Sequence, residues 1–244
     1  MIKFFRHIRR SLIQKNQMGK YFKYAIGEIL LVVIGILIAL QINNWNEDRK
    51  TRMVEVKMLK NIKNSLVSDI KNQINPNLDQ LELDMRNIED IKNFFEISEV
   101  HHDSMNLKYK TLMYSKNHDY EVTSYKALEN EGLHIIQNPE LKSRILKLYN
   151  MSYPEIEFTI SNFSNNLMTF FRPNMRELFN FLDDNRMNGY SPVDYVQLKN
   201  NRDFKNNLIV CTENCQNIYN ATTAAKTEVE DLIEMIDIEL KHRD

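Results

Sequence analysis

Residues Tyr24 to Trp45 read YAIGEILLVVIGILIALQINNW, and this stretch decides the fold of the chain. Between positions 25 and 42 the only polar side chains are those of Glu28 and Gln41. About 20 residues of α-helix span about 30 Å, which is the thickness of the hydrocarbon core of a bilayer. Tyr24 and Trp45 lie where aromatic residues flank such a segment. We therefore predict a transmembrane helix over residues 25–45, with a buried core helix as the alternative.

The charges on either side of this helix predict its orientation. Residues 1–24 contain seven Lys and Arg and no Asp or Glu, a formal charge of +7. The whole chain carries −1, so residues 25–244 carry −8. Positively charged flanks stay in the cytoplasm, which predicts a cytoplasmic N-terminus and an uncleaved signal anchor. A cleaved signal peptide is the alternative, but the long basic region and the lack of a small-x-small site disfavour it.

The cytoplasmic segment, residues 1–24, admits two interpretations. Positions 2–13 place apolar residues on one helical face and basic residues mostly off it. This pattern is typical of a basic amphipathic helix that lies on the cytoplasmic leaflet. A disordered basic tail that only sets the topology is equally consistent with it.

Two features lie within the membrane segment itself. Glu28 is an ionisable group about one turn inside the boundary, which is a functional hypothesis by default. The favoured alternative is that Glu28 reaches the interface or pairs with a nearby lysine or a neighbouring subunit. Gly35 and Ala39 form a small-xxx-small pair, which permits close helix approach and indicates self-association.

The N-terminal sequence resembles the signature of an uncharacterised bacterial family of flavobacterial type. The resemblance rests on the block YAIGEILLVVIGILIALQINNWNE and the basic start MIKFFRHIRR. A weaker similarity covers Tyr125-x-x-Leu128, the segment from Asn138 to Leu141, and the C-terminal helix. This domain of unknown function comprises single-pass membrane proteins with a helical extracytoplasmic part. The resemblance implies an anchor in the bacterial inner (cytoplasmic) membrane and a periplasmic C-terminal domain, but no activity.

Composition limits what the rest of the chain can be. Five glycines and five prolines among 244 residues favour helices over sheets, and the length allows one anchor and one further domain. The acidic outer part argues against nucleic acid as a partner. Two cysteines alone form no disulfide scaffold.

Residues 46–244 carry three long helical patterns. The first stripe runs from Leu59 to Phe95 at an average spacing of 3.6 residues, and the second runs from Leu141 to Phe170. The third runs from Phe204 to Leu240 and begins as a heptad seam, typical of a coiled coil. We predict an all-α fold, in which a single N-terminal transmembrane helix continues into an elongated antiparallel helical bundle.

Prolines interrupt the first two stripes. We expect Pro76 and Pro154 to kink their helices, and a break at Pro76 into two antiparallel helices is the alternative. Pro173 is expected to open a further helical turn or two containing Met175, Leu178, Phe179 and Leu182. Residues 185–190 read as a loop, and Ser191 is expected to cap a short helix.

Capping residues mark where the helices begin. Thr123 is expected to start a helix that Gly132 ends. Asn138 is predicted to cap the second long helix. A similar arrangement, Tyr195-x-x-Leu198 followed by Asn201, echoes Tyr125-x-x-Leu128 followed by Asn138. A duplicated helical hairpin and convergent capping both explain this echo.

Few residues suggest chemistry. His101, His102 and His118 are ligand types that suit zinc or copper, but their spacing matches no closed motif. We therefore predict a solvated loop, with no metal site and no cofactor. Cys211 and Cys215 lie one helical turn apart, too far for a disulfide, and are predicted to be small core residues rather than a redox pair.

Aromatic residues concentrate along the second long helix. They are Tyr149, Tyr153, Phe158, Phe163, Phe170 and Phe171. They are capable of lining a ligand pocket, although core packing is the favoured interpretation. No nucleophile–base pair, phosphate loop or carboxylate pair has a recognisable context, so we do not expect an enzyme.

These observations predict a non-catalytic, membrane-anchored helical module that binds a partner or senses a signal outside the cell. Its expected partners are the lipid bilayer and an envelope protein, including a second copy of itself. A structural or assembly factor for another envelope protein is the alternative. A periplasmic metal-dependent enzyme is the least favoured interpretation.

Overall fold

The computed structural model describes residues 18–113, 118–181 and 189–242. It divides after Glu55 into two compact units. In chain order the α-helices are α1 (Met18–Asp69), α2 (Asn75–Ile97), α3 (Asn106–Thr111), α4 (Thr123–Glu131), α5 (Pro139–Lys147), α6 (Tyr153–Asn166), α7 (Arg172–Leu178), α8 (Tyr195–Asn200) and α9 (Arg202–Lys241). Strands β1 (Phe179–Phe181) and β2 (Tyr190–Pro192) pair between α7 and α8. The prediction of a mostly all-α fold is confirmed.

Five short turns complete the helical path. π-helical turns occupy Ile70–Ile74, Leu148–Ser152 and Leu167–Phe171. 3₁₀ turns occupy Asp103–Met105 and Leu133–Ile135. The first π turn joins α1 to α2, and we call these two helices and their turn the first segment. The other two π turns join α5, α6 and α7, which together we call the middle segment. We call α9 the last helix.

The first unit contains one helix that is long and apolar enough to cross a membrane, the only such helix within the described ranges. Its apolar side chains from Ile29 to Ile42 are exposed, and none of its most apolar window is buried. The alternative of a buried core helix is therefore wrong. Signal sequences have the same composition, so the anchor, its orientation and the boundaries at residues 24 and 45 stay predictions. The expected amphipathic helix over residues 2–13 lies outside the described residues.

The second unit, from Val56 onward, is a bundle built on the last helix. The Lys92 ammonium donates to Thr212 Oγ1 over 3.1 Å, and the Tyr219 hydroxyl donates to Glu82 Oε1 over 3.0 Å. These pairs show that the first segment and the last helix run antiparallel. The Ser152 hydroxyl donates to Glu228 Oε2 over 2.6 Å, so the middle segment also runs beside the last helix.

The apolar stripe predicted for the last helix is confirmed residue by residue. All of its members are buried: Phe204, Leu208, Cys211, Cys215, Ile218, Thr222, Ala225, Val229, Leu232, Ile236 and Leu240. A helix whose apolar residues alternate at three and four positions presents one continuous face to its neighbours. The description of this seam as a coiled coil remains a prediction.

Each π turn stands two residues ahead of a proline. The turns end at Ile74, Ser152 and Phe171, and Pro76, Pro154 and Pro173 follow. A proline lacks the N–H donor, and its ring clashes with the carbonyl four residues earlier. A wider turn moves that carbonyl away, so the helix continues instead of breaking. The alternative of two antiparallel helices divided at Pro76 is therefore wrong.

The third π turn changes which aromatic residue faces the core. Phe171 is buried, whereas Phe170 is 65% exposed. Buried positions follow one another in three steps of four residues, from Phe163 through Leu167 and Phe171 to Met175. In an ideal α-helix three such steps drift by about 120°, and the additional residue of a π turn absorbs this drift. The expectation that Phe170 belongs to the buried stripe is therefore wrong.

The helix expected after Pro173 is confirmed as α7, but it ends at Leu178, so Phe179 lies in β1 rather than in that helix. Leu182 and residues 185–188 of the expected loop lie outside the described residues, and Tyr190 belongs to β2.

In the β-hairpin, Phe179 pairs with Pro192 and Phe181 with Tyr190. Gly189 adopts a φ of +79°, and a Cβ there would lie 2.2 Å from the carbonyl oxygen of Asn106. Only glycine allows this close approach to α3, so the hairpin depends on it.

The helix starts agree only in part with the expected caps. Asn138 accepts from the amides of Glu140 and Leu141, and Asn201 accepts from the amide of Phe204, as predicted. The cap of α8 is Asp194, which accepts from the Gln197 amide over 2.9 Å, because Ser191 belongs to β2. Thr123 is the first residue of α4 rather than its cap.

Candidate functional site

An open cleft lies between the middle segment and the last helix. Its volume is about 600 Å³. Five asparagines line it, together with the exposed ring of Phe170: Asn166, Asn174, Asn206, Asn207 and Asn214. We call this the amide cleft. Its floor is apolar, because the buried side chains of Phe163, Leu167, Phe171 and Cys211 face it from both sides.

Asparagine is an unusual choice for the walls of a cleft between helices. Its side chain competes with the backbone for hydrogen bonds, so asparagine costs up to about 0.7 kcal/mol against alanine in a helix. Lysine and glutamate, which occupy other exposed faces of the bundle, are better helix formers. Among the described residues, the only charged side chain that lines the amide cleft is that of Asp203, at one end. The cleft therefore presents neutral groups that both donate and accept hydrogen bonds.

Most of these carboxamides are not used by the fold. Those of Asn166, Asn174, Asn206 and Asn207 form no hydrogen bond within the described part of the chain. Asn214 differs, because its Nδ2 donates to the Val210 carbonyl over 2.9 Å. The four unpartnered carboxamides are available to water or to a ligand.

A second cleft of about 540 Å³ follows the first along the last helix. The two share Asn214. Asn162, Asn217 and Asn220 also line the second cleft, and Glu155 is the only charged residue that lines it in the part of the chain that the structure describes. Amide side chains thus follow one another along both walls of the interface between the middle segment and the last helix.

A contrasting polar region is buried elsewhere in the same unit. Asp69, at the end of α1, is only 2% exposed. Its Oδ1 accepts from the Glu121 amide over 2.9 Å, and its Oδ2 accepts from the Tyr153 hydroxyl over 2.9 Å. Asp69 immediately precedes the first π turn and Tyr153 immediately follows the second. This hydrogen bond therefore ties the first segment to the middle segment where each passes its proline.

Tyrosines enclose this carboxylate. The rings of Tyr120 and Tyr153 stack with centroids 4.0 Å apart, and Tyr149 meets Tyr153 edge-on at 5.5 Å. We call Asp69, Tyr120, Tyr149 and Tyr153 the Asp69 cluster. Aromatic pairs at these distances contribute beyond their buried area, so the cluster adds to the stability of the core.

Burial controls the protonation of the cluster. Desolvation raises the pKa of Asp69 to about 6, although the hydrogen bonds from Glu121 and Tyr153 act in the opposite direction. Burial, and then the charge of Asp69, raise the pKa values of the three tyrosines. A perturbed carboxyl group is a common sign of an active site. Here the group is buried beside the tyrosines of the cluster within the described part of the chain.

A family match covers the region of the Asp69 cluster. Residues 28–159, more than half of the chain, match the model of a family described as a family of unknown function (DUF6090). The chain belongs to this family. The match includes Asp69, Tyr120, Tyr149 and Tyr153 of this DUF6090 protein, whereas the asparagines of both clefts lie beyond it. No curated protein and no solved structure matches the chain.

The histidines considered as metal ligands make separate contacts in this DUF6090 protein. His101 Nε2 lies 2.9 Å from Asn106 Oδ1, and its ring stacks on Tyr109. His102 Nδ1 accepts from the Ser104 amide. His118 stacks on Tyr120 of the Asp69 cluster. Among the described residues, no group of three or more His, Cys, Asp and Glu side chains is arranged to hold a metal ion.

The membrane positions singled out in the sequence are exposed in α1, except for Glu28, which is partly buried. Tyr24 and Trp45 are exposed, and the guanidinium of Arg49 lies 6.0 Å from the Trp45 ring centroid. A Cβ at Gly35 would meet nothing within 4 Å. The described fold of the chain itself therefore does not require a small residue there.

Sequence reasoning singled out Phe163, Phe170 and Phe171, which line the amide cleft, as candidates for a ligand pocket. It singled out neither Asp69 nor the cleft asparagines. Asp69 has the spacing of an ordinary polar position between the apolar residues Leu66 and Ile70. The cleft asparagines resemble a solvated face. A signal for the cleft was present in the sequence: neutral asparagines at positions 162, 166, 206, 207, 214 and 217 replace the charged residues expected on exposed helices.

Proposed function

We propose that this protein is a non-catalytic binding module, anchored in the bacterial inner membrane, whose helical domain engages an envelope protein. The observation that carries this proposal is the amide cleft. It combines four carboxamides without partners in the described chain with an exposed phenylalanine ring. Exposed apolar rings beside convergent polar groups are typical of recognition sites.

The proposed topology has the N-terminus in the cytoplasm and the helical domain in the periplasm. It is supported by the +7 charge of residues 1–24 and by the exposed apolar surface of α1. A signal-anchor helix of this kind holds a binding domain at the membrane surface. A topology reporter fused after Asp244 is expected to be active only outside the cytoplasm; cytoplasmic activity would contradict the proposed orientation.

Binding without catalysis fits the chemistry of both polar regions. Carboxamides neither gain nor lose a proton in the ordinary pH range, so the cleft offers recognition rather than acid–base catalysis. Asp69, which has a suitable pKa, is buried beside tyrosines. The proposal includes no cofactor and no nucleic acid.

A site-specific crosslink in living cells tests the proposal. A photoreactive phenylalanine analogue placed at Phe170 is expected to capture one discrete protein partner. The matched control is Phe158 on α6, which is 67% exposed against 65% for Phe170. Equal adducts at both positions, or no adduct at Phe170, would contradict partner binding at the amide cleft.

A structural or assembly role is a second candidate, and a different surface favours it. Ile97 is 83% exposed and Val100 is 72% exposed, and Val193 and Val196 are also exposed. The Tyr195 hydroxyl donates to the Ser98 carbonyl over 3.1 Å. This hydrogen bond holds the segment that contains Val193 and Val196 beside the segment that contains Ile97 and Val100. A crosslinker at Val100 that captures a partner, while one at Phe170 captures none, would favour this role.

A further inference from the structure

We propose that the two clefts bind an extended, uncharged segment of a partner protein through its main chain. This inference rests on the proposed function and names the chemistry that the same site recognises. Asparagine side chains on both walls would pair with the N–H and C=O groups of the segment. The ring of Phe170 would contact one of its apolar side chains.

The chemistry of the walls matches a peptide backbone. A carboxamide carries a carbonyl acceptor and an amide donor, the same two groups that a peptide unit presents. A carboxylate only accepts hydrogen bonds and an ammonium group only donates them, so neither can pair with both the N–H and the C=O group of a peptide unit. In the described part of the chain, the carboxamides of Asn166, Asn174, Asn206 and Asn207 have no hydrogen-bond partner.

The arrangement of the walls matches an extended conformation. A strand presents its hydrogen-bonding groups along both edges, and the clefts present asparagines from the middle segment and from the last helix. Residues 206–220 of the last helix span about 21 Å at 1.5 Å per residue. This length accommodates about six residues of a strand at 3.4 Å each. Recognition of an extended peptide by its main chain is a common mode of partner binding.

The charge distribution limits the sequence of the segment. Between Asp203 at one end and Glu155 at the other, the described residues that line the two clefts are uncharged. Burial of a charged side chain in the centre would cost more than burial of a neutral one. The centre of the segment is therefore uncharged, while basic residues fit at its ends beside the two carboxylates.

A neutral glycan is the rival ligand, because its hydroxyl groups also pair with carboxamides. The peptide is favoured by the carboxamides on both walls, which match the two hydrogen-bonding edges of a strand. The exposed ring of Phe170 would also contact an apolar side chain of the peptide.

The test selects peptides on the full-length protein in lipid nanodiscs. A displayed library of random seven-residue peptides is panned against it, with empty nanodiscs for subtraction, and an enriched peptide is then titrated by fluorescence polarisation. The variant Asn166→Ala/Asn207→Ala removes one carboxamide from each wall and is expected to weaken binding about tenfold or more. The control Asn64→Ala/Asn93→Ala removes two exposed asparagines of the first segment and is expected to leave affinity unchanged.

Two further measurements identify what is recognised. N-methylation of alternate peptide nitrogens leaves every side chain in place and is expected to weaken binding about tenfold, because it removes main-chain donors. Phe170→Ala removes only an exposed ring, so it tests the cleft without disturbing the core. Circular dichroism of each variant verifies that it is folded.

Several outcomes would overturn the inference. They are no enrichment above empty nanodiscs, equal affinity of the Asn166→Ala/Asn207→Ala variant, and equal affinity of N-methylated peptides. Binding of a neutral oligosaccharide that this variant loses would reassign the clefts to a glycan. If the crosslink at Phe170 captures a partner but no peptide is enriched, the proposed function survives and only this inference fails.

Discussion

The Asp69 cluster and the amide cleft are two polar regions of one helical domain that satisfy their polar groups in different ways. In the cluster, both carboxylate oxygens of Asp69 have protein partners, whereas the buried hydroxyl of Tyr149 has none among the described residues. In the cleft, four carboxamides have no partner within the described residues. A buried carboxylate without hydrogen-bond partners would cost much free energy, whereas an exposed carboxamide can hydrogen-bond to water or to a ligand. The difference separates a region that specifies packing from one that is available for binding.

The largest expected effect concerns the carboxyl group of Asp69. Its native pKa of about 6 lies above the ordinary value of 3.8, so the native state binds more protons than the unfolded state between pH 4 and 7. The contribution of Asp69 to stability is full below pH 4 and is lost as the pH rises through about 6. Asp69→Asn is therefore expected to match the wild-type free energy of unfolding at pH 4 and exceed it by about 3 kcal/mol at pH 8.

Urea unfolding in detergent micelles, followed by circular dichroism across this pH range, measures the effect. Asp79→Asn, which removes an exposed aspartate from α2, controls for the loss of one carboxylate. A constant difference between Asp69→Asn and wild type at all pH values would show that Asp69 is not held in a desolvated environment.

A smaller effect is expected from the hydrogen bond that joins the first and middle segments. Tyr153→Phe leaves Asp69 Oδ2 buried without its donor, which should lower the free energy of unfolding by about 1–3 kcal/mol at pH 8. At pH 4 the loss should be smaller, because a protonated carboxyl group is easier to bury. Tyr219→Phe, which removes a partly exposed bond to Glu82, is the control. If both variants lose the same stability, burial does not distinguish the two bonds.

The smallest effect, and the opposite sign, is expected at the amide cleft. Asn166→Ala and Asn207→Ala remove no hydrogen bond from the described structure and place a better helix former at each position. Each should leave the free energy of unfolding unchanged or raise it by up to about 0.7 kcal/mol. Thermal unfolding of these two variants, compared with that of the control variants Asn64→Ala and Asn93→Ala, measures this change in stability. A loss of more than 1 kcal/mol would mean that these asparagines stabilise the fold and would remove the contrast with the Asp69 cluster.

Much of the bundle was predictable because helix periodicity is a local property. The buried stripe of α9 and the caps at Asn138 and Asn201 follow from residues within a few positions of one another. Cys211 and Cys215 were correctly predicted to be small buried residues on this stripe. The length and apolar character of α1, which are sufficient for a helix to cross a membrane, also follow from a local run of apolar residues.

The errors arise where a local pattern meets a tertiary constraint. Phe170 was predicted to belong to the core, but a π turn places Phe171 there instead. Ser191 was predicted to cap a helix, but it pairs in a strand whose position depends on contact between Gly189 and α3. Neither outcome is encoded within one helical repeat.

The amino-acid sequence by itself determined the apolar α1 helix, the helical class and most of the buried face of each long helix, because each depends on residues close in the chain. Only the tertiary structure decided that Asp69 meets Tyr153 across 84 positions and that asparagines from two helices line one cleft. The reason is physical: whether a polar side chain is buried, paired or open depends on the surface of the neighbouring helix. No periodicity within one helix specifies that surface.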